Sequence, residues 1–132
     1  MIVLFFETDK LNLTEEGEHF INPGCFGEDF ANWLKPELEQ SRISVNDIYQ
    51  EDWGWEISCS DGDQRYYLGV GGIPEEDGSN LGEWRVMFTK RRGFIDSMLG
   101  KNKLTEVEKI VTSVKSILEA ANFNKIRLEE NA

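Results

Sequence analysis

The sequence predicts an α+β fold: a two-layer sandwich in which an antiparallel or mixed sheet of about four strands, in β-α-β-β-β-α order, carries helices on one face. Three observations predict it. The chain opens with a short run apolar at every position, its middle alternates strictly and closes on Asp-Gly, and its C-terminal third carries an apolar stripe at helical spacing. At 132 residues the chain reads as a single acidic domain, 1–132. Its 39% apolar content is too high for a disordered chain, so a core needs neither disulfide nor metal.

Ile2-Val3-Leu4-Phe5-Phe6 reads as a strand buried on both faces. Glu7 to Gly17 is polar and reads as a loop or short hairpin; His19-Phe20-Ile21 adds an extended piece before Asn22-Pro23-Gly24 turns the chain. From Phe26 to Gln40 the residues Phe26, Phe30, Trp33, Leu34 and Leu38 make one helical stripe, with Glu28 and Asp29 in a first turn that favours negative charge. Pro36 predicts a kink or a break, because it lacks the N–H that a helix interior uses.

Trp53, Trp55, Ile57 and Cys59 alternate with polar residues or glycine, and Asp61-Gly62 then supplies a two-residue hairpin turn. With Ser60 and Asp63 closing that turn, Cys59 faces Gln64, Ile57 faces Tyr66, Trp55 faces Leu68 and Trp53 faces Val70. Both signals place Tyr66, Leu68 and Val70 on the face of the tryptophans. Gly69 to Gly72 matches no phosphate-binding pattern and marks a bulge or a close approach by another element. After the acidic loop Glu75 to Asn80, a third strand points Trp84, Val86 and Phe88 inward. Phe94, Ile95, Met98 and Leu99 form a short amphipathic piece. Thr105 and Glu108 make a capping-box signature ahead of the stripe Val107, Ile110, Val111, Val114, Ile117, Leu118 and Ala121, with Asn122 as its stop. Phe123, Ile126 and Leu128 pack a short tail.

Charge is unevenly distributed. The formal net charge is −11, yet Met1 to Asp63 holds 15 acidic and 3 basic residues while Gln64 to Ala132 holds 10 acidic and 11 basic. Such a chain is expected to repel nucleic acid and anionic membranes and to attract cationic partners; the plain alternative is that charge only keeps it soluble. The N-terminal apolar run is too short to span a bilayer and lacks the flanks of a signal peptide, so the expected location is the cytoplasm.

Parts for catalysis are scarce. No cofactor, metal site or catalytic set is expected: the single histidine, His19, has only Cys25 as a conceivable nucleophile, against a packed thiol and a solvated imidazole. Asp61-Gly62-Asp63 lacks the other ligands of a calcium loop. Asp52 and Glu56, sharing one strand face, are the carboxylate pair an enzyme would use. The segment Glu51-Asp52-Trp53-Gly54-Trp55 is the most unusual; its tryptophans are either core or an aromatic anchor rimmed by acid. Lys90-Arg91-Arg92, with Lys101 and Lys103, reads as a solvated strand end or as partners for the chain's own carboxylates.

Asn22-Pro23-Gly24 leading into Gly27 to Leu34, then Glu51 to Trp55, then Trp84 ahead of the basic stretch, resembles a group of small uncharacterised bacterial proteins over residues 20 to 120. The resemblance implies a shared fold and a bacterial or phage origin. It implies no activity and carries over no functional residue.

The expected function is a non-catalytic protein-binding module, an immunity or inhibitor type protein that neutralises a basic partner such as a toxin. Glu51, Asp52, Glu56, Glu75, Glu76 and Asp77 are the expected partner-binding residues. The alternatives are an acidic homodimeric secretion or assembly chaperone that offers a strand edge, and a small enzyme using carboxylates. The sequence leaves monomer and homodimer open.

Overall fold

The computed structural model describes residues 1–11, 26–74 and 82–130. In chain order these form β1 (Ile2–Thr8), α1 (Glu28–Gln40), β2 (Ser44–Glu51), β3 (Gly54–Asp61), β4 (Gln64–Pro74), β5 (Gly82–Lys90), α2 (Phe94–Met98), α3 (Lys109–Ala120) and β6 (Asn124–Glu130). The strands make one six-stranded sheet in the order β2-β3-β4-β5-β1-β6, and every neighbouring pair is antiparallel. The α+β class is as expected, but the sheet has six strands rather than four and its order is not the expected one. The two added strands, β2 and β6, are its edges.

Both edges arise in the same way. At the end of α1, Arg42 has φ 64 and the next residue, Ile43, donates its N–H back to Leu38 O at 3.0 Å. At the end of α3, Asn122 has φ 60 and Phe123 donates to Leu118 O at 3.3 Å. In each, a left-handed residue closes the helix and an apolar residue after it is buried, the Schellman arrangement. Leu38-Glu39 through Ile43 and Leu118-Glu119 through Phe123 thus repeat one helix-to-strand device. Asn122 is the helix stop that the sequence predicts.

Helix α1 runs through Pro36 without a break. Asn32 and Pro36 are both exposed, so the carbonyl that loses its donor points to solvent rather than into the core. Phe26, expected inside this helix, instead lies before it and bridges Gly72, extending the sheet beside the far end of β4. The expected loop start at Glu7 is also strand, since β1 continues to Thr8. The expected features at Asn12 to Cys25 and the acidic loop at Glu75 to Asn80 lie outside the described residues.

Helices α1 and α3 contact each other and cover one sheet face, α1 over β2 and β3 and α3 toward β6. Leu4 and Phe6 of β1, Ile57 and Cys59 of β3, Leu68 and Val70 of β4 and Trp84 and Val86 of β5 point into that layer. There they meet Phe30, Leu34 and Leu38 of α1 and Ile110, Val114 and Leu118 of α3. Phe6 is its aromatic centre, with ring centroids 5.4 Å from Phe30 and 5.1 Å from Phe123. Helix α3 starts at Lys109, one turn later than Thr105 predicts, and Val107 is 78% exposed instead of joining the stripe. The cause is Glu108. Its carboxylate accepts from Thr105 N at 3.1 Å, as a capping box requires, but also from Tyr66 Oη at 2.6 Å and Lys90 Nζ at 3.0 Å, which fixes it against the sheet.

The β3–β4 hairpin keeps its expected faces but not its register. Asp61 pairs with Gln64, so Cys59 faces Tyr66, Ile57 faces Leu68 and Trp55 faces Val70. The two central turn residues are Gly62 and Asp63, of which only Gly62 has positive φ, at 61°. That is the demand of a type II′ turn, which wants glycine first, rather than of the expected type I′. Because the shift moves each partner by two residues, every side chain stays on its expected face.

Candidate functional site

The site builds from the β2–β3 hairpin. Glu51 pairs with Gly54, leaving Asp52 and Trp53 as a two-residue turn. The two tryptophans therefore part company. Trp55 sits in β3 and is buried among the core residues, whereas Trp53 stands outside the strand and is 42% exposed. Its indole folds back over the sheet face that the helices leave uncovered. A Cβ built on Gly69 would stand 2.6 Å from Trp53 Cη2, 2.9 Å from Cζ3 and 3.0 Å from Met87 Cε. Glycine at 69 is thus what lets the ring lie flat on β4. The backbones approach closely beside it: a Cβ at Gly54, where φ is 157°, would lie 2.6 Å from Val70 O. Of the expected alternatives for Gly69 to Gly72, the close approach is seen at Gly69, with Trp53 as the neighbour, and β4 keeps its register with both β3 and β5.

Across the same face, Tyr49 of β2 is directly opposite Glu56 of β3, and Glu56 opposite Gly69. Tyr49 Oη donates to Glu56 Oε2. By accepting that bond the carboxylate keeps the phenol protonated far above its ordinary range, with burial and the nearby Glu51 charge acting in the same direction. Tyr67 continues this face along the next row of pairs, opposite the buried Ser58. The other half of this face is closed by the molecule's own ion pairs. Arg127 lies 4.6 Å over the Phe5 ring and reaches Glu83 at 3.3 Å and Glu129 at 3.4 Å, and Lys125 reaches Glu7 at 3.1 Å.

Of the expected partner-binding residues, Glu51, Asp52 and Glu56 come together around Trp53, while Glu75, Glu76 and Asp77 lie outside the described residues. The pairing of Asp52 with Glu56 on one strand is corrected: Asp52 belongs to the turn and Glu56 to β3, bonded to Tyr49. Glu28 and Asp29, at the start of α1, follow the Phe26–Gly72 bridge and so stand at this same end of the strands. From Ile43 to Asp63 the chain carries six acidic side chains and no basic one. Of these, Glu51, Asp52 and Glu56 stand at the Trp53 end, whereas Asp61 and Asp63 lie by the β3–β4 turn at the other end.

Sequence reading missed Tyr49 and Met87 as parts of this site, and marked Gly69 only within the run Gly69 to Gly72. That Gly69 faces Glu56 follows from the two-residue register shift and was not available to the sequence. Tyr49 carried no signal, because β2 itself was not visible.

At the opposite end of the strands Glu108 joins Tyr66, Lys90 and Thr105 as described, and Lys90 Nζ also donates to Asn102 Oδ1 at 2.9 Å. Burial alone raises the Glu108 carboxyl, but the Tyr66 hydroxyl, the Lys90 ammonium and the Thr105 N–H outweigh it and hold the group below its usual range. Tyr66 is pushed upward by burial and by its bond to Glu108. These groups tie β4 and β5 to the start of α3, which is structural work. Cys59 is buried and its thiol is pushed up to about 12 by desolvation, so it is no nucleophile at neutral pH. Among the described residues no group of three His, Cys, Asp or Glu side chains could hold a metal ion, and no helix is long and apolar enough to cross a membrane.

Comparison with protein-family models, with curated proteins and with solved structures finds no match.

Proposed function

We propose that this protein is a non-catalytic binding module of the inhibitor or immunity type, whose acidic β2–β3 hairpin end receives a basic partner such as a toxin. The observation that carries the reading is Trp53. An indole nearly half exposed, seated on a glycine and flanked by Glu51, Asp52 and the Tyr49–Glu56 pair, has the make-up of a binding anchor. Its ring is already fixed, so a partner's Lys or Arg stem stacks on it without a large ordering cost. The carboxylates supply the long-range attraction and set the approach.

The chaperone alternative needs a free strand edge, and both edges are blunted. β2 carries a bulge between Val45 and Asp47, and β6 meets β1 with a register shift between Phe5 and Glu7 and bears Lys125, Arg127, Glu129 and Glu130. These features favour side-chain recognition over strand addition.

The test begins with affinity capture of the partner from the native host. Stopped-flow association of the captured protein is then measured against salt. The on-rate falls steeply as salt rises, and less steeply for the double variant Glu51→Gln/Asp52→Asn. A flat dependence on salt rules the reading out.

A further inference from the structure

We propose that the loop between β5 and α3 docks this protein on an anionic lipid surface, with the tip of α2 entering the headgroup region. This surface lies at the opposite end of the strands from Trp53 and stands independently of the function proposed above. Helix α2 has no buried residue: Phe94, Ile95, Met98 and Leu99 are 79%, 70%, 69% and 59% exposed. Their spacing gathers them on one stripe, with Asp96 and Ser97 on the other side. Four large apolar side chains side by side in water are unusual for a soluble face and mark a contact.

Charge says what kind of contact. From Lys90 to Lys103 there are five cations and one acid. Lys90 is taken up by Glu108, but Arg91, Lys101 and Lys103 are exposed around the stripe. A cleft of about 620 Å³ opens beside Phe94, lined by Arg65, Arg91 and Arg92 together with Ser60, Asp63 and Gln64. Three arginines against the single carboxylate of Asp63 make a lining that suits a phosphate ester, with the apolar tip just beyond it.

The loop is braced at its base. Arg92 Nη1 donates to Lys101 O at 3.0 Å, Gln64 Nε2 to Arg91 O at 2.6 Å, and Lys101 N to Asp96 O at 2.8 Å. A protein partner is less well matched. The tip is convex, and cations rather than further apolar surface surround it, whereas a stable protein interface wants roughly 800 Å² from each side. A bilayer surface accepts a small apolar stripe with a cationic rim.

The net charge of −11 argues against such docking only if the molecule is treated as a point. Glu51 and Asp52 are separated from this end by the eight residues of β3, about 25 Å at strand spacing. That is some three Debye lengths at physiological salt, about 8 Å each. Asp61 and Asp63 do lie at this end, but Asp61 is paired with Lys109 at 3.8 Å, which leaves Asp63, Asp96 and Glu106 against Arg65, Arg91, Arg92, Lys101 and Lys103.

The full chain is tested by flotation with vesicles of phosphatidylcholine alone and of phosphatidylcholine mixed with phosphatidylglycerol. It floats with the mixed vesicles and not with the neutral ones. Phe94→Ser/Met98→Ser and Arg91→Gln/Lys101→Gln each reduce the bound fraction by about tenfold, while Lys35→Gln/Lys115→Gln, which removes the same charge from α1 and α3, leaves it as in the parent. In a Phe94→Trp variant, brominated lipid quenches the added indole. All these variants sit at exposed positions, and unchanged circular dichroism confirms their folding. Absence of binding to the mixed vesicles at low salt overturns the proposal. So does binding that the two serine substitutions leave unchanged, a result that would place the lipid contact elsewhere on the molecule.

Discussion

A single glycine decides what the outer face of the sheet can present. Gly69→Ala places a methyl inside contact distance of the Trp53 ring and displaces the indole, because the backbone at 69 is fixed by pairing on both sides. We expect a red-shifted Trp53 contribution to the fluorescence and weaker binding of the captured partner, with the sheet intact by circular dichroism. Glu108 makes a contrasting case, in which the role is stability. Glu108→Gln leaves the Lys90 ammonium, only 9% exposed, without its counter-charge and should cost about 1–3 kcal/mol in urea unfolding at neutral pH. The sign of its pH dependence follows from a folded-state pKa lowered below the unfolded value. The contribution is fully present above the unfolded pKa, about 4.3, and is lost as pH falls through the lowered folded value. The parent therefore loses more stability than Glu108→Gln between about pH 5 and pH 3. Equal losses would contradict a lowered folded-state pKa for Glu108.

At the scale of elements, the two helix-to-edge junctions ask for residues in the left-handed region, and neither has glycine there. Arg42→Gly removes the Cβ penalty at φ 64 and is expected to raise stability by about 0.5–1 kcal/mol, read by thermal or urea melts. Gly54→Ala does the reverse. Its methyl meets the Val70 carbonyl, so a loss of about 2 kcal/mol or more is expected together with loosening of the Trp53 turn. These junctions also explain what could be read in the sequence. β3, β4 and β5 were legible because strict alternation and a glycine turn act within a few residues. β2 was not, since the bulge after Val45 puts Ile48 three positions on and breaks the period of two. β6 alternates at Ile126 and Leu128, but both are only half-buried at an edge, and nothing local says that β1 is their neighbour. Trp53 was misplaced for a related reason: the alternation continues back through it, while the chain leaves the strand at Gly54. The acidic character of the site was plain in composition, yet its gathering around one exposed indole depends on the β2–β3 pairing.

Over the whole molecule, charge is unevenly arranged along the strands. The β2–β3 turn and the start of α1 gather carboxylates at one end, while the loop after β5 gathers cations and apolar side chains at the other, where Asp61 and Asp63 of the β3–β4 turn also lie. A molecule built this way can meet two surfaces of opposite sign at once. It should also show a large electric dipole, so its retention on anion exchange should change more on Glu51→Gln/Asp52→Asn than on neutralising two acidic residues of α3 and β6, Glu119→Gln/Glu129→Gln, at equal net charge. The decisive property is where a cation docks. Titrating the isotopically labelled protein with an octa-arginine peptide, followed by amide and indole NMR shifts, measures that. The largest changes are expected at Glu51 to Gly54, Glu56 and the Trp53 indole N–H, fading as salt rises. Shifts spread evenly over α1, the β3–β4 turn and β6, with the Trp53 indole unmoved, would contradict docking at the Trp53 end.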